Sequence, residues 1–146
     1  MDWLTATANH DIDPKAEGMQ DMVDFYTSKD VNVVIPQAGA FSYYTDWVST
    51  PDAGYLKGPQ KWETFLTKEL PPYLQQHFGV SPTNNSILGI SMGGTAALNL
   101  AALHPEQFRQ TLSYSGYLTT TIPGGQTALR AALLDGGMYN VNAMWG

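Results

Sequence analysis

The chain has 146 residues, enough for one domain at most, and its 43% hydrophobic content is ample for a buried core. Thirteen acidic residues against seven basic ones give a formal charge of -6 without a basic cluster. This balance argues against nucleic acid or an anionic membrane surface as a partner. The absence of cysteine excludes disulfides and thiolate metal sites.

The first part of the chain predicts a helix, a strand and a long loop. Apolar residues recur at roughly helical spacing over residues 20–28, and residues 31–35 form a β-branched run that ends at Pro36, as in a buried strand. Residues 37–60 are rich in Gly, Ser, Thr, Pro and aromatic side chains. A loop of this length inside a compact domain is usually functional.

The rest of the chain alternates helices and strands. An apolar face over residues 61–77 predicts a helix that Pro71 and Pro72 bend. Residues 87–90 and 111–115 predict strands, an Ala- and Leu-rich helix lies between them, and residues 127–134 predict a short helix before an irregular end at 136–146. This order implies a mostly parallel sheet with helices on both faces, an α/β fold, with its chemistry at the carboxyl ends of the strands.

Ser91 is the strongest candidate for a catalytic residue. It stands at the centre of a Gly-x-Ser-x-Gly pentad between a predicted strand and a predicted helix, which is the arrangement of a nucleophile elbow. Gly89 and Gly93 are needed where a side chain would collide with the neighbouring backbone. The alternative is a tight turn without catalytic role. No Lys-Ser/Thr pair supports a phosphate-binding loop, and no Gly-x-Gly-x-x-Gly spacing supports a dinucleotide site.

Several motifs in one order give the chain a resemblance to a known family. They are FSYYTDW at 41–47, KWETFLTKEL at 61–70, GISMGG at 89–94, HPEQF at 104–108, DGG at 135–137 and AMWG at 143–146. The chain resembles the antigen 85 family of mycolyltransferases, weakly before about residue 31 and strongly after it. Without the paired cysteines of some mycobacterial members, it is more similar to the corynebacterial branch. The resemblance implies a single, partial α/β-hydrolase domain over residues 1–146.

The resemblance also implies a reaction. Members of the family move a mycolyl group from one trehalose monomycolate to another, or to cell-wall arabinogalactan, through an acyl group carried on the serine. Ser91 would be that serine, and the backbone N–H groups of Met92 and Leu4 would stabilise the oxyanion. The implied substrate is a trehalose mycolate or a similar glycolipid, and neither a cofactor nor a metal is implied.

Three residues are expected to bind the sugar by the same resemblance. Asp2 falls where the family has an aspartate that contacts trehalose, and Thr5 stands where the family has a sugar-binding arginine. The family's small glycine is replaced by Trp3. Thr119 stands where relatives often carry an aspartate near the sugar.

A base for Ser91 is missing from the expected place. Hydrolases of this kind follow the order serine, acid, histidine, and the family's acid and histidine lie beyond the AMWG motif. His104 is about 18 Å along the helix axis from the serine, and His77 precedes the strand, so neither is expected to reach it. His10 is a weak candidate. We therefore expect this chain alone to transfer or hydrolyse esters barely above background, and we expect the sheet edge at 111–115 to be exposed and to favour self-association.

Aromatic and acidic side chains before Ser91 have two interpretations each. Tyr43, Tyr44 and Trp47 either line an acyl or sugar site or pin the long loop to the domain, and pinning is favoured. The three acidic residues that could serve as triad acids precede the serine in the sequence, which argues against that role: Asp46, Glu63 and Glu69.

Two other functions stay open. The chain could be a carboxylesterase of related fold that uses water as the acceptor, or a non-catalytic binding or surface protein. The start of the chain has neither the basic flank nor the apolar stretch of a signal peptide, and no apolar run approaches the length of a membrane span. An extracellular or cell-envelope location is implied by the family resemblance alone.

Overall fold

Two parallel strands joined by a helix form the centre of the fold. The computed structural model describes residues 19–36, 38–53, 56–119, 122–132 and 140–145. The elements are α1 Met19–Thr27, β1 Asp52–Ala53, β2 Leu56–Lys57, α2 Trp62–Thr64, a π-helical turn Phe65–Glu69, α3 Leu70–Phe78, β3 Asn85–Ile90, α4 Met92–Leu103, β4 Phe108–Tyr114, α5 Pro123–Ala132 and a 3-10 turn Val141–Ala143. None of the described helices is long and apolar enough to cross a membrane.

The β3–α4–β4 unit follows from its apolar composition. Strand β3 pairs in parallel with β4, from Asn85 opposite Phe108 to Ile90 opposite Tyr114, with a register irregularity after Asn85. A parallel pair needs a crossover connection, and α4 provides it. Most of α4 is buried, because it is rich in Ala and Leu and carries no charge. These predictions from the sequence are confirmed, with β4 beginning earlier than expected.

The predicted helix over residues 61–77 is present but changes its hydrogen-bond spacing before the two prolines. In the π-helical turn, the N–H of Leu70 donates to the carbonyl of Phe65, five residues back. Pro71 and Pro72 then occupy the first turn of α3, where a missing N–H is tolerated. The wider π turn before them lets the helix continue as far as Phe78.

Three other predictions differ from the structure. Residues 31–36 form no strand, although their β-branched composition predicted a buried one, because no neighbouring strand in the described part of the chain pairs with them. The predicted loop over 37–60 contains the short antiparallel pair β1–β2. The last helix begins at Pro123, earlier than the sequence indicated, since proline is well suited to the first helical position. Residues 133 and 134 of the predicted helix, and residues 136–139 and 146 of the predicted irregular end, lie outside the described residues.

Candidate functional site

Ser91 occupies the sharp turn between β3 and α4. Its backbone has φ 54° and ψ −115°, outside the regions that L-residues usually adopt. Two hydrogen bonds hold this conformation. The N–H of Ser91 donates to the carbonyl of Tyr114 at 2.7 Å, and the carbonyl of Ser91 accepts from the N–H of Thr95 at 3.2 Å. The turn is therefore fixed from both the neighbouring strand and the following helix.

The side chain of Ser91 is not used to stabilise the helix that it precedes. Serine is a favoured residue at the helix N-cap because its hydroxyl accepts from an N–H of the first turn. Ser91 is the N-cap of α4, yet its side chain makes no capping hydrogen bond, and the residue is partly exposed. A strained position that glycine would fill more easily thus carries a hydroxyl without a capping role, which is a pattern typical of functional sites.

Close backbone approach explains the glycines around Ser91. A Cβ on Gly89 would collide with the carbonyl of Gly93, so the end of the strand and the start of the helix can meet only if Gly89 has no side chain. A Cβ on Gly94 would lie 2.9 Å from the carbonyl oxygen of Tyr114. The role that the sequence predicted for Gly89 is confirmed. The first turn of α4 therefore packs closely against the end of β3 and the end of β4.

The structure describes only two of the five residues expected around Ser91. Met92 is the first residue of α4, and its N–H has no acceptor within the helix, as for every first-turn N–H. Thr119 is exposed and lies beyond the carboxyl end of β4. Asp2, Leu4 and Thr5 lie outside the described residues.

The described histidines have their contacts away from Ser91. His104 follows the carboxyl end of α4, where its Nε2 lies 2.9 Å from Oε1 of Glu63 and its Nδ1 lies 3.9 Å from Glu106. The ring of His77 packs on Tyr73 in α3, with centroids 4.4 Å apart. His10 lies outside the described residues.

The carboxylate of Asp46 supports the helix α2. Its carboxylate accepts from the N–H of Thr64 at 3.1 Å and from the Thr64 hydroxyl at 2.6 Å. These contacts of Asp46, and the 2.9 Å contact between Glu63 and His104, give structural roles to two of the three acids considered as triad members. No group of three or more potential metal ligands occurs within the described ranges.

The aromatic loop before α2 is pinned by its own hydrogen bonds. Trp47 donates from Nε1 to the carbonyl of Ser42 at 2.9 Å, and the Tyr44 hydroxyl donates to the carbonyl of Ala38 at 2.6 Å. Tyr43, Tyr44 and Trp47 are all at least 96% buried. The favoured interpretation, that these rings fix the loop to the domain, is confirmed.

Tyr43 differs from its neighbours in having an unsatisfied hydroxyl. Its ring packs edge-on against Trp145 at 5.8 Å, and its hydroxyl finds no hydrogen-bond partner among the residues described. Burial, and to a lesser degree the nearby Tyr117, raises the pKa of the Tyr43 phenol well above its usual value of about 10.

Ser115, which was not predicted as a site residue from the sequence, is placed beside Ser91 by the register of the two strands. Ile90 pairs with Tyr114, so Ser91 and Ser115 are the next residues of the two strands, and both have φ 54°. Ser115 is exposed. The available signal was the pair Ser115–Gly116 at the end of the predicted strand 111–115, but a glycine after a strand is also common in ordinary turns.

Comparisons with known proteins place these features in a family context. The family model named Esterase matches residues 3–146. The chain is 39% identical over 121 residues to the diacylglycerol acyltransferase/mycolyltransferase Ag85C of Mycobacterium leprae, covering 83% of this chain and 36% of that protein. It is 39% identical over 123 residues to Ag85B of Mycobacterium avium, covering 84% and 37%. The chain thus spans about a third of the length of these curated relatives.

Two solved structures are similar to the fold. MPT51 (FbpC1) of Mycobacterium tuberculosis matches with a TM-score of 0.75 and 33% identity, over 86% of this chain and 45% of that one. An S-formylglutathione hydrolase of Agrobacterium tumefaciens matches with a TM-score of 0.50 and 26% identity, over 70% of this chain and 38% of that one. These similarities confirm the predicted α/β-hydrolase fold, of which the chain forms a part.

Proposed function

Because the chain belongs to the esterase family, and within it to the group of the antigen 85 mycolyltransferases, we propose that it carries the nucleophile of a serine acyltransferase. Ser91 is the nucleophile in this proposal. The observation that supports it is the strained, partly exposed serine whose hydroxyl does not cap the following helix. The names of the relatives, which include both acyltransferase and mycolyltransferase, support the class of reaction.

The reaction proceeds in two displacements. In the first, a base removes the proton of the Ser91 hydroxyl while its oxygen attacks the ester carbonyl of the donor, and the donor alcohol leaves with a proton. In the second, the hydroxyl of an acceptor attacks the acyl group on Ser91, and the serine regains its proton. The N–H groups of Met92 and Leu4 stabilise the negative oxygen of each tetrahedral intermediate.

We propose a trehalose mycolate or a similar glycolipid as the donor, and a second such molecule or cell-wall arabinogalactan as the acceptor. Asp2, Thr5 and Thr119 are the proposed sugar contacts. This substrate class implies a place of action outside the plasma membrane, at the cell envelope. The names of the relatives support the mycolyl group. The proposed sugar contacts rest on the family resemblance at these three positions.

The base is the part of the mechanism that the described residues do not supply. His104 is paired with Glu63, and His77 packs on Tyr73. We propose that the acid and histidine come from sequence beyond the AMWG motif, as in the family. An unassisted serine hydroxyl is a poor nucleophile at neutral pH. The 146-residue polypeptide alone should therefore cleave p-nitrophenyl butyrate barely above the buffer rate.

The acceptor can be tested by supplying a base from solution. The 146-residue protein is incubated with p-nitrophenyl butyrate, trehalose and imidazole, and acylated trehalose is measured by mass spectrometry. We expect imidazole-dependent butyryl trehalose that Ser91→Ala abolishes and Ser49→Ala retains, because Ser49 is an exposed serine outside the elbow. Equal yields from the wild type and Ser91→Ala would contradict the proposal.

A carboxylesterase is the second candidate, supported by the similarity to the S-formylglutathione hydrolase. In that case, water would remove the acyl group, and free butyrate would form at the same rate with or without trehalose. A non-catalytic binding protein would give no Ser91-dependent product in either form.

A further inference from the structure

Two segments that are distant in the sequence meet at the first turn of α4. The turn at Ser91 precedes this helix, and residues 115–119 follow β4. Gly116 lies so close to the helix that a Cβ on it would be 2.6 Å from the carbonyl carbon of Gly94 and 2.8 Å from the backbone nitrogen of Thr95. The segment after β4 is therefore packed directly on the start of the helix.

Side-chain hydroxyls join these two segments. The hydroxyl of Thr95 accepts from the N–H of Tyr117 at 2.7 Å. The hydroxyl of Ser113, near the end of β4, donates to the carbonyl of Gly94 at 2.9 Å. Because Thr95 is only 2% exposed, water has little access to its end of the bond with Tyr117.

The use of the Thr95 hydroxyl is unusual for a threonine in a helix. Such a hydroxyl commonly donates to the carbonyl four residues before it in the same helix. Thr27, Thr67 and Thr127 make this bond, at 2.7 to 2.8 Å. The hydroxyl of Thr95 instead accepts from Tyr117, in a segment 22 residues away in the sequence.

Thr95 also contacts Ser91. Its N–H donates to the carbonyl of Ser91 at 3.2 Å, and the N–H of Ser91 donates to the carbonyl of Tyr114 at 2.7 Å. These bonds form a closed ring, because the backbone from residue 114 to residue 117 connects the acceptor for Ser91 with the donor to Thr95. The positive φ of Ser91 is thus held by a network to which the Thr95 side chain contributes.

We propose that Thr95 is a positioning residue, whose hydroxyl holds the Ser91 turn by tying the segment after β4 to the first turn of α4. The same bond fixes the segment that carries Thr119, a proposed sugar contact. Without this hydroxyl, the N–H of Tyr117 loses its acceptor and the ring of hydrogen bonds opens. The Ser91 hydroxyl and the N–H of Met92 then lose the fixed relative position on which oxyanion stabilisation depends. The effect on catalysis rests on the proposed role of Ser91 as nucleophile, and the effect on the turn does not.

The effect on the turn is tested by amide hydrogen exchange, measured by NMR on the 146-residue protein. The exchange rate of the Ser91 N–H is divided by that of Leu100, a buried residue of α4 whose exchange reports the stability of the helix. Thr95→Val keeps the shape of the side chain but removes the acceptor, and should raise this ratio about fivefold or more. Thr95→Ser retains the hydroxyl and should restore the ratio. Thr64→Val is the matched control, because it removes a hydroxyl bond to Asp46 and should leave the ratio unchanged.

The effect on reactivity is tested by fluorophosphonate labelling of Ser91 with imidazole present, at a temperature where circular dichroism shows each variant to be folded. Thr95→Val should be labelled about tenfold more slowly than the wild type, because the oxyanion donor is no longer aligned. Thr95→Ser and Thr64→Val should be labelled at nearly the wild-type rate.

An unchanged exchange ratio in Thr95→Val would overturn the proposal, and so would a raised ratio with an unchanged labelling rate. Failure of the Thr95→Ser variant to restore the ratio would also overturn it, since the hydroxyl would then not be the group that matters. A wild-type protein that is not labelled at Ser91 would contradict the acyltransferase proposal. In that case, the exchange ratio would still decide whether Thr95 positions the turn.

Discussion

Ser91 holds a backbone conformation that its residue type does not favour. A non-glycine residue with positive φ carries strain of roughly 1–3 kcal/mol when the surroundings impose the conformation. Here they do so through hydrogen bonds to Tyr114 and Thr95. Substitution of Ser91 should therefore show this strain as a change in the free energy of unfolding.

Ser91→Gly should raise the free energy of unfolding by about 1 kcal/mol, because glycine adopts this conformation without steric cost. Ser91→Ala retains the Cβ and should change stability by less than about 0.5 kcal/mol. Asn84, at φ 59°, is the matched control, since Asn84→Gly should also stabilise the protein without altering Ser91. Urea denaturation measures all three, and equal stabilities of the glycine and alanine variants at position 91 would contradict the assignment of strain.

Tyr43 and Tyr44 form a matched pair of buried phenols. Tyr43→Phe should leave stability unchanged or raise it by up to about 1 kcal/mol, because its hydroxyl has no described partner. Tyr44→Phe should lower stability by about 1 kcal/mol, because its hydroxyl donates to Ala38. Chemical denaturation at neutral pH compares the two. A larger loss for Tyr43→Phe than for Tyr44→Phe would show that the Tyr43 hydroxyl is satisfied.

Alkaline pH provides an independent measurement on Tyr43. Its pKa is raised in the folded state by burial, so above about pH 10 the unfolded chain loses this proton first. The contribution of Tyr43 to stability is fully present below about pH 9 and decreases above about pH 10, by up to about 1.4 kcal/mol per pH unit. The Tyr43→Phe variant should therefore lose less stability than the wild type between about pH 9 and about pH 11. Parallel curves would contradict the shift.

At the scale of elements, the sequence predicted those elements whose structure is determined by nearby residues. The strand, elbow and helix around Ser91 could be predicted because the apolar run, the glycines and the alanines all indicate the same structure. Residues 31–35 were predicted as a strand from composition, but strand formation requires a pairing partner, which a single segment does not encode. The position of Ser115 beside Ser91 depends on the register between two strands, which only the structure provides.

The elbow predicts a large difference between two glycine substitutions. Gly89→Ala should lower the free energy of unfolding by about 3 kcal/mol or more, because its Cβ would collide with backbone of α4 that cannot move freely. Gly124→Ala, in α5, has open space around the new Cβ and should stabilise the protein by up to about 1 kcal/mol. Thermal and urea unfolding measure both. A tolerated Gly89→Ala would show that the helix and strand are less closely packed than described.

At the scale of the whole molecule, the structure describes Ser91, the proposed nucleophile, together with Met92 and Thr119, but not the other proposed site residues. Asp2, Leu4 and Thr5 lie outside the described residues, and the chain spans about a third of the length of its curated relatives. The proposal that Ser91 is the nucleophile rests on local motifs, which the sequence contains. The acceptor site and the base depend on residues brought together over long distances, and for these the family resemblance is the only guide.

The site of covalent modification tests the central claim most directly. The 146-residue protein is treated with a fluorophosphonate, with and without imidazole, and the modified residue is identified by peptide mapping with mass spectrometry. We predict slow labelling at Ser91 that imidazole accelerates and Ser91→Ala abolishes, while Ser49→Ala labels as the wild type does. Labelling distributed over several exposed serines, or an unmodified Ser91 beside a modified Ser115, would contradict the account.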